Sequence, residues 1–236
     1  MMTVVVIMSI LVAMALDEFQ TMGRRAAARD GAMQFKAALT LARSRAIERN
    51  ANEWVIVYPN VNKQGTESPA GHGAFFQLED PSQLFNTSTP AGSGELRYST
   101  YVPAAAPGAA NAANQILLEG FFMDDLQGHN AEFGLIAAKS PAYDAPFKFL
   151  TLPDANTGCS PTLCTGSPKR GAVVFGPDGS ATFVDGSGNV IGTGTSTSSG
   201  RATGFAIRTV HTDLALTYLL AVSGPSGFVS YFPPIN

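Results

Sequence analysis

The sequence is poor in charge. Only 14% of its 236 residues are Asp, Glu, Lys or Arg, and 15 basic residues against 18 acidic ones leave a formal charge of −3. That balance excludes the strongly basic footprint of a nucleic-acid binder. Cysteine is scarcer still: Cys159 and Cys164, in CSPTLC, are the two present. A structural zinc site wants further Cys or His nearby, and the three histidines (His72, His129 and His211) are scattered along the chain. Four intervening residues allow a small disulfide-closed loop after export to an oxidising compartment; two free thiols is the alternative. Catalytic signatures are missing too. There is no G-x-S-x-G elbow, no H-E-x-x-H, no P-loop and no G-x-G-x-x-G. His72 stands in GHG, a loop pattern, and Asp124-Asp125 reads as a solvated strand end, with cation binding as the alternative. Neither enzyme activity nor a cofactor is expected. The weak metal candidate is a calcium loop: Asp185, Ser187 and Asn189 put oxygens at alternate positions, with Asp178 nearby, but no acidic residue closes the loop.

Nor does any apolar run reach the ~20 residues of a spanning helix. The longest, Met1 to Leu16 (MMTVVVIMSILVAMAL), has sixteen residues. It is nevertheless apolar on every face, unlike a helix packed on a surface. It reads as a cleaved secretory signal, a buried core helix, or a membrane anchor whose first residues are missing. Ala13-Met14-Ala15 is A-x-A-like, but no basic n-region precedes the run. The preferred reading is the membrane anchor. From Asp17 the helical pattern continues with a polar surface and one apolar stripe: Ala28, Ala32, Phe35, Leu39, Ala42 and Ala46. Small residues dominate the stripe, so a flat β-sheet can approach it closely. Asn50 or Asn52 ends it, since Asn tolerates a left-handed backbone.

The end of this helix resembles a known pattern. In AALTLARSRAIERN, residues Leu39, Ala42, Arg43, Ser44, Ala46, Ile47, Arg49 and Asn50 fall in the order and spacing seen in the H-type minor pseudopilins and related minor pilins (the GspH/FimT group). A strand follows directly, here Trp54 to Tyr58. Val173, Phe175, Pro177, Gly179 and Phe183, and a last strand pair divided by a Gly turn, are also similar to that group. The resemblance covers about 1–57 and 172–232. It implies an α+β, pilin-like fold: a long N-terminal helix, one half in the membrane and one half amphipathic, packed on an antiparallel β-sheet or sandwich. Residues 1–50 would be the helix, with 1–16 in the membrane or the filament core, and 51–236 the β-rich domain with a variable insert at about 58–170. Val4, Val5, Val6, Ile7, Ile10, Leu11, Val12 and Leu16 would line the membrane or filament-core segment, and Ser9, Ala13 and Ala15 would allow close approach.

By the same resemblance a basic leader and an assembly glutamate are expected to precede Met1. Asp17 stands where members often carry a kinking proline. The implied function is a structural minor pilin or pseudopilin subunit of a type IV pilus or type II secretion filament. The implied place is the inner membrane, single-pass, with a periplasmic or extracellular domain. Its partners would be other pilin or pseudopilin subunits, the inner membrane before assembly, and a filament-tip or secreted protein. DNA is not expected as a partner, because Arg208 is the only basic residue after Arg201. The alternative is a secreted β-sandwich adhesin or carbohydrate-binding module with a cleaved signal peptide.

The remaining strands are expected at Trp54–Val61, Ala74–Leu78, Glu95–Val102, Gln115–Leu126, Ala131–Ala138, Pro146–Leu152, Ala172–Phe175, Ala181–Val184, Gly204–Val210, Leu214–Val222 and Phe228–Phe232. Pro177-Asp178-Gly179 closes a hairpin, with Pro presetting φ and Gly taking the positive-φ position.

Overall fold

A computed structural model describes residues 2–63, 67, 71–80, 110–111, 115–126, 129–191, 201–210 and 216–234. A single helix, α1, runs unbroken from Met2 to Arg49. No proline interrupts those 48 residues, so no turn loses its amide donor. At ~1.5 Å per residue the helix is about 72 Å long. It stops at Asn50, whose φ of 51° is left-handed. The amide of Ala51 then donates back to the carbonyl of Ala46 at 3.3 Å, the reversed bond that satisfies a terminal carbonyl.

Ten strands follow among the described residues: β1 (Asn52–Tyr58), β2 (Ala74–Asp80), β3 (Ala110–Asn111), β4 (Gln115–Phe122), β5 (Ala131–Phe133), β6 (Gly171–Phe175), β7 (Ala181–Val184), β8 (Ala202–Thr209), β9 (Thr217–Ser223) and β10 (Val229–Phe232). They form two antiparallel sheets. The first has the order β3-β4-β2-β1-β6-β7, and the second β10-β9-β8-β5. In the first sheet β1 pairs with β2 over its whole length, from Asn52 opposite Asp80 to Tyr58 opposite Ala74. Its other edge pairs with β6, from Glu53 opposite Phe175 to Val57 opposite Gly171. The stretch at about 58–170 therefore supplies β2 to β5, and β2 sits inside the first sheet.

Helix α1 packs on both sheets at once. Ala28, Ala32, Phe35, Leu39, Ala42 and Ala46 share one buried cluster with Val55, Val57, Phe75, Val173, Phe175 and Phe183 of the first sheet, and with Phe205, Ile207, Leu220 and Val222 of the second. Phe35 is the hub. Its ring centroid lies 5.1 Å from that of Phe75, 5.4 Å from Phe133 and 5.0 Å from Phe205. Each sheet also buries its far face. Trp54, Ile56, Tyr58, Phe76 and Leu78 form a second cluster, and Leu135, Tyr143, Phe147, Leu219 and Phe232 a third. Strands buried on both faces read as continuous apolar runs such as Trp54 to Tyr58, rather than as clean alternation.

The expected fold is corrected on two points. First, the membrane half is not supported: among the described residues no helix is long and apolar enough to cross a membrane. The physical reason is charge: Asp17 and Glu18 end the apolar run, and the helix is polar from there on. The single-pass inner-membrane placement falls with it. Second, a pilin-like helix-on-sheet arrangement is compatible only in part, because α1 is shared between two separate sheets.

Smaller corrections concern the strands. Pro146–Leu152 is a run of tight turns, with the Phe147 amide on Asp144 and the Leu150 amide on Phe147. Phe147 plugs the far face of the second sheet while Phe149 is exposed. Strand pairing at 131–138 stops at Phe133, and the end of 115–126 is a 3-10 turn, Met123–Asp125. The expected strand at 95–102 lies outside the described residues.

Candidate functional site

The first half of α1 is built differently from the second. None of the side chains described before Ala27 is buried. Met8 is 64% exposed, Val12 57%, Phe19 80% and Met22 66%. Val4, Val5, Val6, Ile7, Ile10, Leu11 and Leu16 lie on the same helical stretch; their side chains are outside the described residues. With Ala15, also exposed, the four large residues recur as 8, 12, 15, 19, 22. Those steps of four and three put these five residues along one line of the helix, a spacing that packing between helices can use.

The motif residues at the other end hold the helix to the domain. Leu39, Ala42 and Ala46 are fully buried. The Arg43 Nε donates to the carbonyl of Gly179, 3.2 Å away, in the turn between β6 and β7. Gly179 has φ 78°, and a Cβ there would come within 2.9 Å of Ile47 Cδ1, so the turn and Ile47 are in close contact. Arg49 pairs with Glu79 on β2. Asn50 supplies the left-handed end, and Ser44 faces solvent. These positions do architectural work: they join helix to sheet and bring no reactive groups together.

Just past that junction lies Glu53, fully buried. Neither of its carboxyl oxygens has a hydrogen-bond partner. Burial, reinforced by the negative charge of Glu79, pushes its pKa up to about 7, while nearby Gln77, Arg45 and Arg49 pull the other way.

The calcium loop resolves into a self-contained turn. Asp185 Oδ1 accepts from the amides of Ser187 at 2.9 Å and Asn189 at 2.8 Å, and Asp185 Oδ2 accepts from the Asn189 side chain at 3.2 Å. Its carboxylate oxygens are engaged by donors of the loop itself. Asp178 likewise accepts from the amide and hydroxyl of Ser180. Cys159 and Cys164 form a disulfide. Its loop is pinned to β8, where the Ser160 amide donates to the carbonyl of Gly204 at 2.9 Å.

Two of the histidines are not scattered in space. His72, Asp124 and His129 bring one ligand atom each within 4.8 Å of one another. His72 Nδ1 lies 2.5 Å from Asp124 Oδ1, and the two imidazole centroids are 6.1 Å apart. His72 and Asp124 are largely buried, at 18% and 13% side-chain exposure. The other oxygen, Asp124 Oδ2, accepts from the Lys63 amide at 3.1 Å, and Lys63 Nζ pairs with Asp125.

Backbone geometry makes this meeting possible. Gly71 and Gly73 flank His72; a Cβ on Gly71 would sit 2.4 Å from the Asn60 carbonyl oxygen, and Gly73 has φ 94°. His72 offers its carbonyl to the Phe133 amide, which draws the histidine towards β5. His129 has φ 52°, left-handed for a residue with a Cβ. Sequence reading missed the cluster because 52 residues separate His72 from Asp124. GHG before a strand, with Asp-Asp and His after another, was the signal that existed. His211 lies outside the described residues.

Two small cavities open elsewhere among the described residues. One of about 160 Å³ is lined by Leu150, Ser160, Thr162, Ile191 and Thr203; the other, of about 210 Å³, by Phe147, Phe149, Arg201 and Pro225. Both fall below the ~300–1,000 Å³ of typical small-molecule sites. No family model matches the chain, and no curated protein or solved structure is similar to it.

Proposed function

We propose that this chain is a structural subunit of a filament of the type IV pilus or type II secretion kind, a minor pilin or pseudopilin that joins its neighbours through the first half of α1. The observation that carries the reading is the exposed seam Met8, Val12, Ala15, Phe19, Met22 on a helix whose other half is locked into the core. Large apolar side chains at a 3.5-residue period are the knobs of helix–helix packing. The seam extends to Ala26, which is exposed as well.

Flanking charges fit a parallel arrangement. If Val12, Phe19 and Ala26 take the a positions, Arg25 takes a g position and Asp30 the e position five residues on. Both are exposed, and a parallel neighbour sets them opposite one another with opposite sign. The motif residues Arg43, Ile47 and Arg49 support the reading from the other end, because a helix that carries subunit contacts must be firmly fixed to its own domain. The partners are therefore helices of other subunits, and the β-domain faces outward.

Cross-linking tests this. The wild type has no free cysteine, so Phe19→Cys introduces one reactive thiol. Treated with a bismaleimide in the cells that make it, Phe19→Cys is expected to give linked dimers. Leu152→Cys, at an exposed position on the β-domain, is expected to give none. Equal yields from the two variants, or a mature protein beginning near Leu16, would overturn the reading.

A further inference from the structure

We propose that His72, Asp124 and His129 form a binding site for a divalent transition-metal ion of the zinc type. Two imidazoles and one carboxylate are the donor set that such ions take, and they differ from the all-oxygen set that calcium and magnesium require. The three side chains already converge, with ligand atoms within 4.8 Å of one another. Zn–N and Zn–O bonds of about 2.0–2.2 Å place tetrahedral ligand atoms roughly 3.4 Å apart. Binding thus needs the close His72–Asp124 pair to part slightly and His129 to move in. His129 is exposed and sits in a short connection, so it is the ligand free to adjust.

The surroundings favour a cation. Asp124 and Asp125 carry two negative charges, and Lys63, paired with Asp125, carries one positive. With both histidines neutral the group has a net charge of −1. Asp124 is also oriented from behind: the Lys63 amide holds Oδ2 and leaves Oδ1 on the histidine side. Such outer hydrogen bonds fix ligand direction and raise metal affinity.

The position in the fold gives the site a consequence. His72 lies just before β2, Asp124 is in the 3-10 turn that follows β4, and His129 leads into β5. β2 and β4 are neighbours in the first sheet, whereas β5 is an edge of the second. An ion bound here clips the two sheets together at one end. Three protein ligands leave a fourth tetrahedral position, which water fills or a neighbouring molecule can take. This role is independent of the helix seam.

The test is calorimetric titration of the untagged full chain with zinc ion alone, with thermal unfolding as a second readout. The expected result is one ion per chain and a midpoint that rises with zinc, since a ligand that binds only the folded state stabilises it. His129→Ala, an exposed change that leaves both clusters around it intact, should weaken binding at least tenfold, and His72→Ala should abolish it. Should His72→Ala fail to fold, His72→Gln serves in its place and should weaken binding at least tenfold. Absence of one-to-one binding, retention of wild-type affinity in His129→Ala, or tighter binding of calcium than of zinc would each overturn the proposal.

Discussion

The two halves of α1 share one backbone and have opposite surroundings. From Ala27 onwards small side chains and Phe35 are pressed between two sheets. Before Ala27 no described side chain is buried, and Phe19 is 80% exposed. Phe19 and Phe35 are the same residue type on the same helix. What differs is the partner. Phe35 meets Phe75, Phe133 and Phe205, while no described residue covers Phe19. Apolar character alone therefore marks a surface that needs covering, and the fold decides whether the same chain or another molecule does so.

The sharpest way to break this comparison is to truncate both rings. Phe35→Ala removes the hub of the core and should cost about 3–5 kcal/mol in denaturant unfolding. A loss under ~1 kcal/mol would mean that the helix is not held as described.

The next effect lies where the docked half ends. Glu53 is buried with its pKa pushed up to about 7 from an ordinary value of 4.5. Its contribution to stability is fully present below pH 4.5, falls as the unfolded chain ionises above that value, and is lost once the pH passes about 7. Glu53→Gln removes the ionisation and should stabilise the protein at pH 8 by up to about 3 kcal/mol, with little gain at pH 4. Unfolding midpoints of both proteins across that range test the sign; a larger gain at pH 4 than at pH 8 would refute it.

Asn50→Ala should cost about 1–2 kcal/mol, because the left-handed φ of 51° strains a residue without a local polar side chain. Asn50→Gly should be near neutral, and the pair can be compared by thermal unfolding. The smallest effect is expected at the other half. Phe19→Ala should change monomer stability by under ~0.5 kcal/mol. If it destabilises as Phe35→Ala does, the first half of the helix is docked and the seam is not free for a neighbour.

Much of the frame was legible in the residues. The stripe Ala28 to Ala46 has helical spacing, and Asn50 is suited to the end it makes. The hairpin around Pro177-Asp178-Gly179 follows from φ preferences that act within a few residues. Other features were out of reach. Pro146 to Leu152 has the aromatic alternation of a strand, yet Phe147 is buried as a plug from a turn, a choice made by the far face of β8 and β9, which it covers, rather than by local pattern. Which strands would join which of the two sheets could not be read, because partner order is not encoded in a strand's hydrophobicity. The histidine cluster was hidden for the same reason.

Taken alone, the sequence determined the helix, its apolar stripe, its end and the hairpin turns, since spacing and backbone preference operate over a handful of positions. It also set the change from apolar to polar at Asp17 and Glu18. The tertiary structure decided which half of α1 is covered, which sheet each strand joins, that Glu53 is buried without a partner, and that His72 meets Asp124 and His129. These depend on contacts between residues far apart in the chain, where packing of the whole molecule outweighs any local preference.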